Sequence, residues 1–506
     1  VLRVSVRWIF RSILNHLLKT DFSNSTINTI PNLYFPETEQ HYMPLLHQYL
    51  ENHVSFYFKS KFEEKGIFLG VGSNFFLTKK SDLDFFLERY GEEIPLVGST
   101  HFYFNSPLDY YQSQSSPSKY SKFFSWGIFE SEILFLCPQI VFWWKNKTLT
   151  VSFFLLTQPE KTLFDLQRLF RTLLEKTHLQ TTLPTFHRLF SEGHISHPSY
   201  KNFYEHFQKV SQLLEEKKID KIVLGQFKKF FLPKVNDISF FHRAFGLFYQ
   251  QCEIFKDTYQ IYYAPLPQST LCSVTPERFF SLEKTEKTKK TEEDDNWFLE
   301  FDCLAGTFLK QNNLKANSSP KLKKEHALVE DHLKKIALDL EIILKNTKKN
   351  KPPSILNLPN VSHFYSSLRS KNPLLKEKKS HSIPNLLSHF HPTLALGGQP
   401  KEQTKALIKE YEEVARGPFG SPVGILWRPW TEFAVCIRSC LLLEKSCYIF
   451  AGAGIIQESD FHEEWQEIQK KLEVWQNFLP LYPHFPSPPP LNPEPHSKPN
   501  VGPHVD

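Results

Sequence analysis

The sequence is short of glycine and of cysteine. Its 506 residues hold only 18 glycines and seven cysteines, with no CxxC pair and no internal repeat. Few glycines beside 47 phenylalanines, in a chain that is 41% hydrophobic and 23% charged, exclude a disordered, collagen-like or disulfide-scaffold protein. The odd cysteine count leaves at least one thiol unpaired within the chain, which predicts a reducing compartment, the cytoplasm. There is no run of the roughly 20 uninterrupted apolar residues that a membrane span needs. Arg438, Glu444 and Lys445 cut the longest candidates, so integral membrane association is not expected. Nor is there a large excess of either charge. Sixty Lys+Arg against 54 Asp+Glu give +6, which suits an anionic metabolite and does not require nucleic acid. The basic runs at 284–290 and 345–351 lie among Thr, Asn and Pro and read as solvated loops.

At about 150 residues per domain, the length predicts about three domains or one large one. Residues 1–30 read as an amphipathic helix with Arg3, Arg7 and Arg11 on one stripe, either seeking a surface or packing on the fold. Residues 31–198 are strand-rich, with runs such as SFYFKS, GIFLGVGSNFFL and LTVSFFLL. In the region 199–480 a helix comes first, over 199–218, marked by Tyr204, Phe207, Val210, Leu213 and Leu214 at three- and four-residue steps. Strands, among them SVTPERFFSL and WFLEFDCLAG, then alternate with helices to about 480. EKTEKTKKTEEDDN, between two strands, reads as a projecting hairpin loop, and the proline-rich 481–506 as a disordered tail.

Several charged residues stand where packing would favour apolar ones. On a helix beginning at Glu325, the stripe Val329, Leu333, Ile336, Leu340 and Ile343 places Glu325 on the inward face. It is either a carboxylate favoured by the helix N-terminus or a metal ligand. In the last helix Asp460 and Glu463 make a capping box, and Phe461, Trp465, Ile468, Leu472, Trp475 and Leu479 form the apolar face. Glu464, Glu467 and Lys471 flank that face, as an i,i+4 ion pair or as cation ligands. A continuous strand EFAVCIRSCLLL puts Arg438 on a buried face, where it needs an anion, from a salt bridge or from a substrate carboxylate. The AGAG at 451–454 reads as a glycine pair between a strand and a helix, where backbone N–H groups could meet an anion. Lys221 opens an apolar strand and would have to lose its proton to serve as a base.

In this order the residues resemble the chorismate-utilising enzymes, which include the isochorismate, salicylate, anthranilate and aminodeoxychorismate synthases. The resemblance rests on DKIVLGQ (220–226), TPERFF (275–280), LAGT (304–307), KEHALVED (324–331), VSHF (361–364), HPTLALGGQP (391–400), YEEVARGPFGSPVGIL (411–426), EFAVCIRS (432–439) and AGAGIIQESDFHEEWQEIQKKL (451–472). It implies that family's large α+β fold, similar to anthranilate synthase component I, with β-sheets and helices packed around a central cleft. The first half is similar in layout to the menaquinone-pathway isochorismate synthase.

The resemblance also implies chemistry. Members that add water carry Lys at position 221, whereas those that add ammonia usually carry Gln. Aminodeoxychorismate synthases often have Lys where this chain has Ala305. Isochorismate formation is therefore expected, with Lys221 as base and Glu277 as acid. Mg²⁺ would be held by Glu325 and Glu467, with Glu464 beside it or acting through water. Arg438, Gly452, Gly454 and Lys471 would hold the substrate carboxylates, with Thr307 and His363 in the pocket. No glutaminase subunit is expected. Gln226 replaces a common Arg, Phe419 replaces a Tyr that bonds a substrate carboxylate, and the stretch before Glu325 is short; one lost neutral hydrogen bond costs about 0.5–1.5 kcal/mol. The rivals are a salicylate synthase, which would go on to eliminate pyruvate, and a non-catalytic homologue that binds an anionic ligand or a partner protein.

Overall fold

The computed structural model of the chain describes residues 11–14, 27–34, 54–100, 131–145, 148–154, 156, 159–176, 191–233, 240–266, 268–284, 297–308, 319–347, 353–375, 378–412 and 415–479. Their strands form two antiparallel sheets, one of twelve strands and one of ten. Both sheets mix the two halves of the chain. Val54–Lys59 pairs with Tyr259–Leu266 in the larger sheet, and Leu96–Thr100 with Pro422–Leu426 in the smaller.

Side-chain alternation along the strands sets the layers. In Lys221–Phe231 of the larger sheet, Ile222 and Leu224 enter a core shared with helices Tyr200–Glu215 and Phe461–Gln476, while Phe227 belongs to the second core on the other face. In Thr431–Val435 of the smaller sheet, Glu432 accepts a hydrogen bond from Tyr259 of the larger sheet. Its neighbour Phe433 therefore faces the opposite way, toward Phe280, which packs on Phe301, and Phe301 in turn on Phe390 of helix Ile383–Phe390. Phe58 and Phe68 of the larger sheet meet Trp430 at a turn of the smaller one, ring edge to ring face. Helices thus cover the outer faces, and aromatic rings fill the layers that water cannot reach.

The chain passes tightly between the sheets at several points, and these correct two strand expectations. SVTPERFFSL is not one strand: Ser269–Thr275 lies in the larger sheet, Arg278–Lys284 in the smaller, and Pro276 and Glu277 make the passage. EFAVCIRSCLLL is likewise divided into Thr431–Val435 and Ser439–Leu443, in different sheets, with Arg438 at a left-handed φ of 47° in the connection. Apolar residues on both sides of each passage fit a strand, so each read as one strand; in SVTPERFFSL only Pro276 marks the break.

Other boundaries moved as well. Ser319 caps helix Pro320–Asp339 by accepting from Leu322 N, so the helix begins before Glu325 and that residue lies beyond the first turn. Val329, Leu333 and Leu340 are buried as expected, but Ile343 lies past the helix and is 43% exposed. AGAG lies inside strand Ser446–Ile455, paired to the Lys221 strand, and does not join a strand to a helix. Asp460 caps Phe461–Gln476 by accepting from Glu463 N at 3.0 Å. Of residues 1–30, 11–14 are helical and 27–30 begin strand Ile27–Tyr34; the remainder, the 285–296 loop and the 481–506 tail lie outside the described residues. All seven cysteines are buried and free. Among the described residues no helix is long and apolar enough to cross a membrane.

A fully buried ion pair fixes the Lys221 strand. Glu412 and Arg416 pair at 2.5 Å; Glu412 also accepts from Gly225 N at 2.7 Å, and Arg416 donates to Val223 O and Leu396 O, each at 2.7 Å. Removing one member strands the other as a buried charge, which costs about 3–5 kcal/mol. Arg416→Met is expected to lose that much in urea unfolding, and a loss below about 1 kcal/mol would refute this role for the pair.

Candidate active site

One cleft gathers residues from separate parts of the chain. Lys221, Glu277, Thr307, Glu325, His363, Arg438, Gly452, Gly454, Glu467 and Lys471 all line it, together with Phe419. Glu464 does not line it and is buried just behind, in the first turn of Phe461–Gln476. Lys221 is 1% exposed, and its Nζ lies 2.9 Å from Glu325 Oε1. Opposite the pair, strand Ser446–Ile455 presents Gly454, where a Cβ would stand 2.8 Å from both Glu325 Oε1 and Lys221 Cε. A side chain there would have to push the ends of the ion pair aside.

A second group binds through hydrogen bonds. Arg438 donates through Nη2 to His363 Nε2 at 2.8 Å, which makes Nε2 an acceptor and leaves the ring proton on Nδ1, 3.1 Å from Thr307 Oγ1. Burial and the Arg438 charge hold the His363 pKa well below its ordinary value, so the ring is neutral. Nη1 of Arg438 is buried and has no hydrogen-bond partner among the described residues. An unmet charged donor on the wall of a cleft is suited to an anion. The left-handed backbone of Arg438 is held by bonds to its carbonyl from Trp475 Nε1 at 2.8 Å and Val274 N at 3.2 Å.

The carboxylates differ sharply. Burial, then the charge of Asp302, raises the Glu277 pKa to about 8 despite nearby Lys61, Lys221 and Lys471, so Glu277 is largely protonated at neutral pH. Burial, then repulsion from Glu467, with Glu325 adding to it, raises Glu464 to about 7. Burial also disfavours the Glu325 charge, but the Lys221 ammonium outweighs it and lowers that pKa.

Glu325, Glu464 and Glu467 face one another from two helices, and each meets a lysine: Lys221 at 2.9 Å, Lys321 at 3.0 Å and Lys471 at 2.6 Å. In donor type and charge they fit a hard divalent cation. With lysines as their counter-ions, they do not close into a cluster; among the described residues no group of three His, Cys, Asp or Glu could hold a metal as placed. Lys321 went unnoticed in the sequence, hidden in the basic run KLKK.

Of the two residues that depart from the family pattern, only Phe419 touches the cleft, where its ring lies tilted against Phe450 with centroids 4.9 Å apart. Gln226 lies elsewhere, bonded to Pro198 O and Gln469. A larger cavity of about 480 Å³ has mixed charge, with Lys65, Arg278 and Arg369 facing Glu283 and Glu300, and none of the expected site residues line it.

The family model described as "Chorismate binding enzyme" matches residues 38–480. The chain belongs to the chorismate-binding enzymes. Isochorismate synthase MenF of Haemophilus influenzae is 26% identical over 360 residues, covering 68% of this chain and 74% of that protein. MenF of Bacillus subtilis is 37% identical over a shorter stretch of 122 residues, covering 24% of this chain and 25% of that protein. Among solved structures, the menaquinone-specific isochorismate synthase MenF from Escherichia coli superposes with a TM-score of 0.71 at 18% identity, over 94% of this chain and all of that one (100%). Anthranilate synthase component I from Streptococcus pneumoniae gives 0.59 at 16% identity, over 90% of this chain and 95% of that one. The α+β fold is therefore the family's fold.

The Gly454 contact can be tested directly. Gly454→Ala must displace Lys221 and Glu325, and is expected to weaken chorismate binding in calorimetry by about tenfold or more, equivalent to at least about 1.4 kcal/mol. Unchanged affinity would show that this approach is not part of the binding surface.

Proposed function

We propose that the chain is an isochorismate synthase that converts chorismate to isochorismate in menaquinone biosynthesis. The observation that carries this reading is a buried lysine and a protonated buried carboxyl, Lys221 and Glu277, lining the same cleft. Lys221, once neutral, takes a proton from the water that attacks ring carbon C2. As the C2–O bond forms, the ring double bond shifts and the C4–O bond breaks. Glu277 gives its proton to the departing C4 hydroxyl, which leaves as water, so one water enters and one leaves. A hydroxide-like leaving group needs a proton donor, and a carboxyl raised to about 8 still carries its proton at neutral pH.

Arg438, with its unmet Nη1, and Lys471 are the cations suited to the substrate carboxylates. The backbone at Gly452 and Gly454 allows the ring to lie close. Neutral His363, fixed between Thr307 and Arg438, orients the guanidinium. Glu325 and Glu467, with Glu464 behind them, would hold Mg²⁺. When bound, the ion would neutralise the ring carboxylate and hold it in place. The seven buried free thiols support a reducing, cytoplasmic setting.

Incubation with chorismate and Mg²⁺, with and without EDTA, is expected to yield isochorismate by chromatography only with the metal, and none from Lys221→Ala. Salicylate with pyruvate would move the assignment to salicylate synthase. No turnover from folded, Mg²⁺-loaded protein, even with ammonium supplied, would move it to a non-catalytic homologue. Glu325→Gln and Glu467→Gln are expected to weaken Mg²⁺ binding by calorimetry in the absence of chorismate; unchanged binding would refute the ligand set. Because Glu277 must be protonated to act, kcat is expected to fall as pH rises through about 8. A flat profile from pH 7 to about 9.5 would exclude Glu277 as the acid.

A further inference from the structure

The peptide around Glu277 is held by residues outside the cleft. Lys61, which follows strand Val54–Lys59, donates to Pro276 O at 2.8 Å and to Asp302 Oδ2 at 2.5 Å. The same Oδ2 accepts from Arg278 N at 3.1 Å. One bond therefore grips the peptide unit before Glu277 and another the unit after it. Val435 N also donates to Glu277 O, at 3.0 Å. Asp302 has its other oxygen bonded to Arg278 Nη2 and Tyr365 OH, each at 3.1 Å, so both oxygens are satisfied. Neither Lys61 nor Asp302 lines the cleft.

We propose that Lys61 and Asp302 form a positioning clamp for Glu277, fixing the two peptide units that flank it and setting the electrostatic field at its carboxyl. The proposal rests on the reading of Glu277 as general acid. A buried ion pair is a costly way to fill space between two sheets, since apolar residues of like volume would serve stability as well. An ionised carboxylate beside an acid that must keep its proton has a function there. Burial opposes the Asp302 charge, but Lys61 and Arg278 prevail and keep it ionised. Its charge favours the protonated form of Glu277, and Lys61 works against it.

Besides Lys61 and Asp302, the charges of Lys221 and Lys471 act on Glu277, Arg438 and Cys303 feel it, Glu325 and Glu467 line the same cleft, and Arg278 is next in sequence. They are unaltered in the variants below, so each shift reports the clamp. The two substitutions should act in opposite directions. Asp302→Asn removes the repulsion, and Lys61→Met removes the opposing charge together with the grip on Pro276 O.

The test follows the protonated carboxyl of Glu277 by infrared difference spectroscopy, its band assigned by loss in Glu277→Gln, alongside kcat and KM against pH. Asp302→Asn is expected to move the midpoint of the band, and the alkaline limb of kcat, down by about half a pH unit or more. Lys61→Met should move both upward and lower kcat about tenfold through misalignment, with KM nearly unchanged. Lys61→Arg should restore both. If Asp302→Asn fails to fold, as shown by circular dichroism, Lys61→Met and its rescue decide alone. Midpoints that stay in place in folded variants would overturn the clamp. Full turnover by Glu277→Gln would instead overturn the acid assignment, and the clamp with it.

Discussion

Two sheets share strands from both halves of the chain, so the chain has to pass from one sheet to the other inside the protein. At such a passage the backbone leaves its ladder, and its polar groups must find other partners. Two of the passages carry Glu277 and Arg438. Their backbones are completed by side chains or amides from elsewhere: Lys61, Asp302 and Val435 around Glu277, Trp475 and Val274 at Arg438. The same places that break the regular structure can turn a charged side chain into a cleft, where neither a continuous strand nor a surface loop would hold it.

Charge compensation is the second constraint. The cleft and its surroundings bury Lys221, Glu277, Arg438 and Glu464, and each buried charge requires a partner or loses its charge. Both solutions occur. Lys221 pairs with Glu325 and Glu464 with Lys321, while Glu277 keeps its proton and His363 stays neutral. One small volume thus holds a base candidate paired with Glu325, an acid candidate that keeps its proton and an unmet anion-binding donor.

Much of this was legible in the chain. Periodicity located the helix with Phe207, Val210 and Leu214 buried, and the last helix with its Asp460 cap. Misplaced charges pointed to Glu325, Arg438 and Lys221, and the family resemblance added Glu277, Thr307 and His363; all six line one cleft. What failed were the bends. FAVCIRSCLLL and SVTPERFFSL are apolar on both sides of the passage, so they read as single strands. The start of the Glu325 helix was missed because Ser319 and Pro320 precede a charged turn in which the apolar stripe has not begun. Lys61, Lys321 and the Glu412–Arg416 pair carried no signal, since a charge on a polar stretch looks the same whether it meets water or a distant partner; Asp302 stands inside the apolar run WFLEFDCLAG, a misplaced charge of the same kind as Arg438.

By itself the sequence determined the helices with a clean apolar face, which depend on neighbours a few residues away, where spacing and residue type are sufficient. The class of fold and several of the groups able to do chemistry came from its resemblance to a known family. Only the tertiary structure decided which of those groups meet and what state of protonation each holds. Lys61 lies 241 residues from Asp302, and Lys221 lies 104 from Glu325. Contacts over such separations, and the burial that shifts Glu277 and His363 in opposite directions, exist only once the sheets have closed on one another.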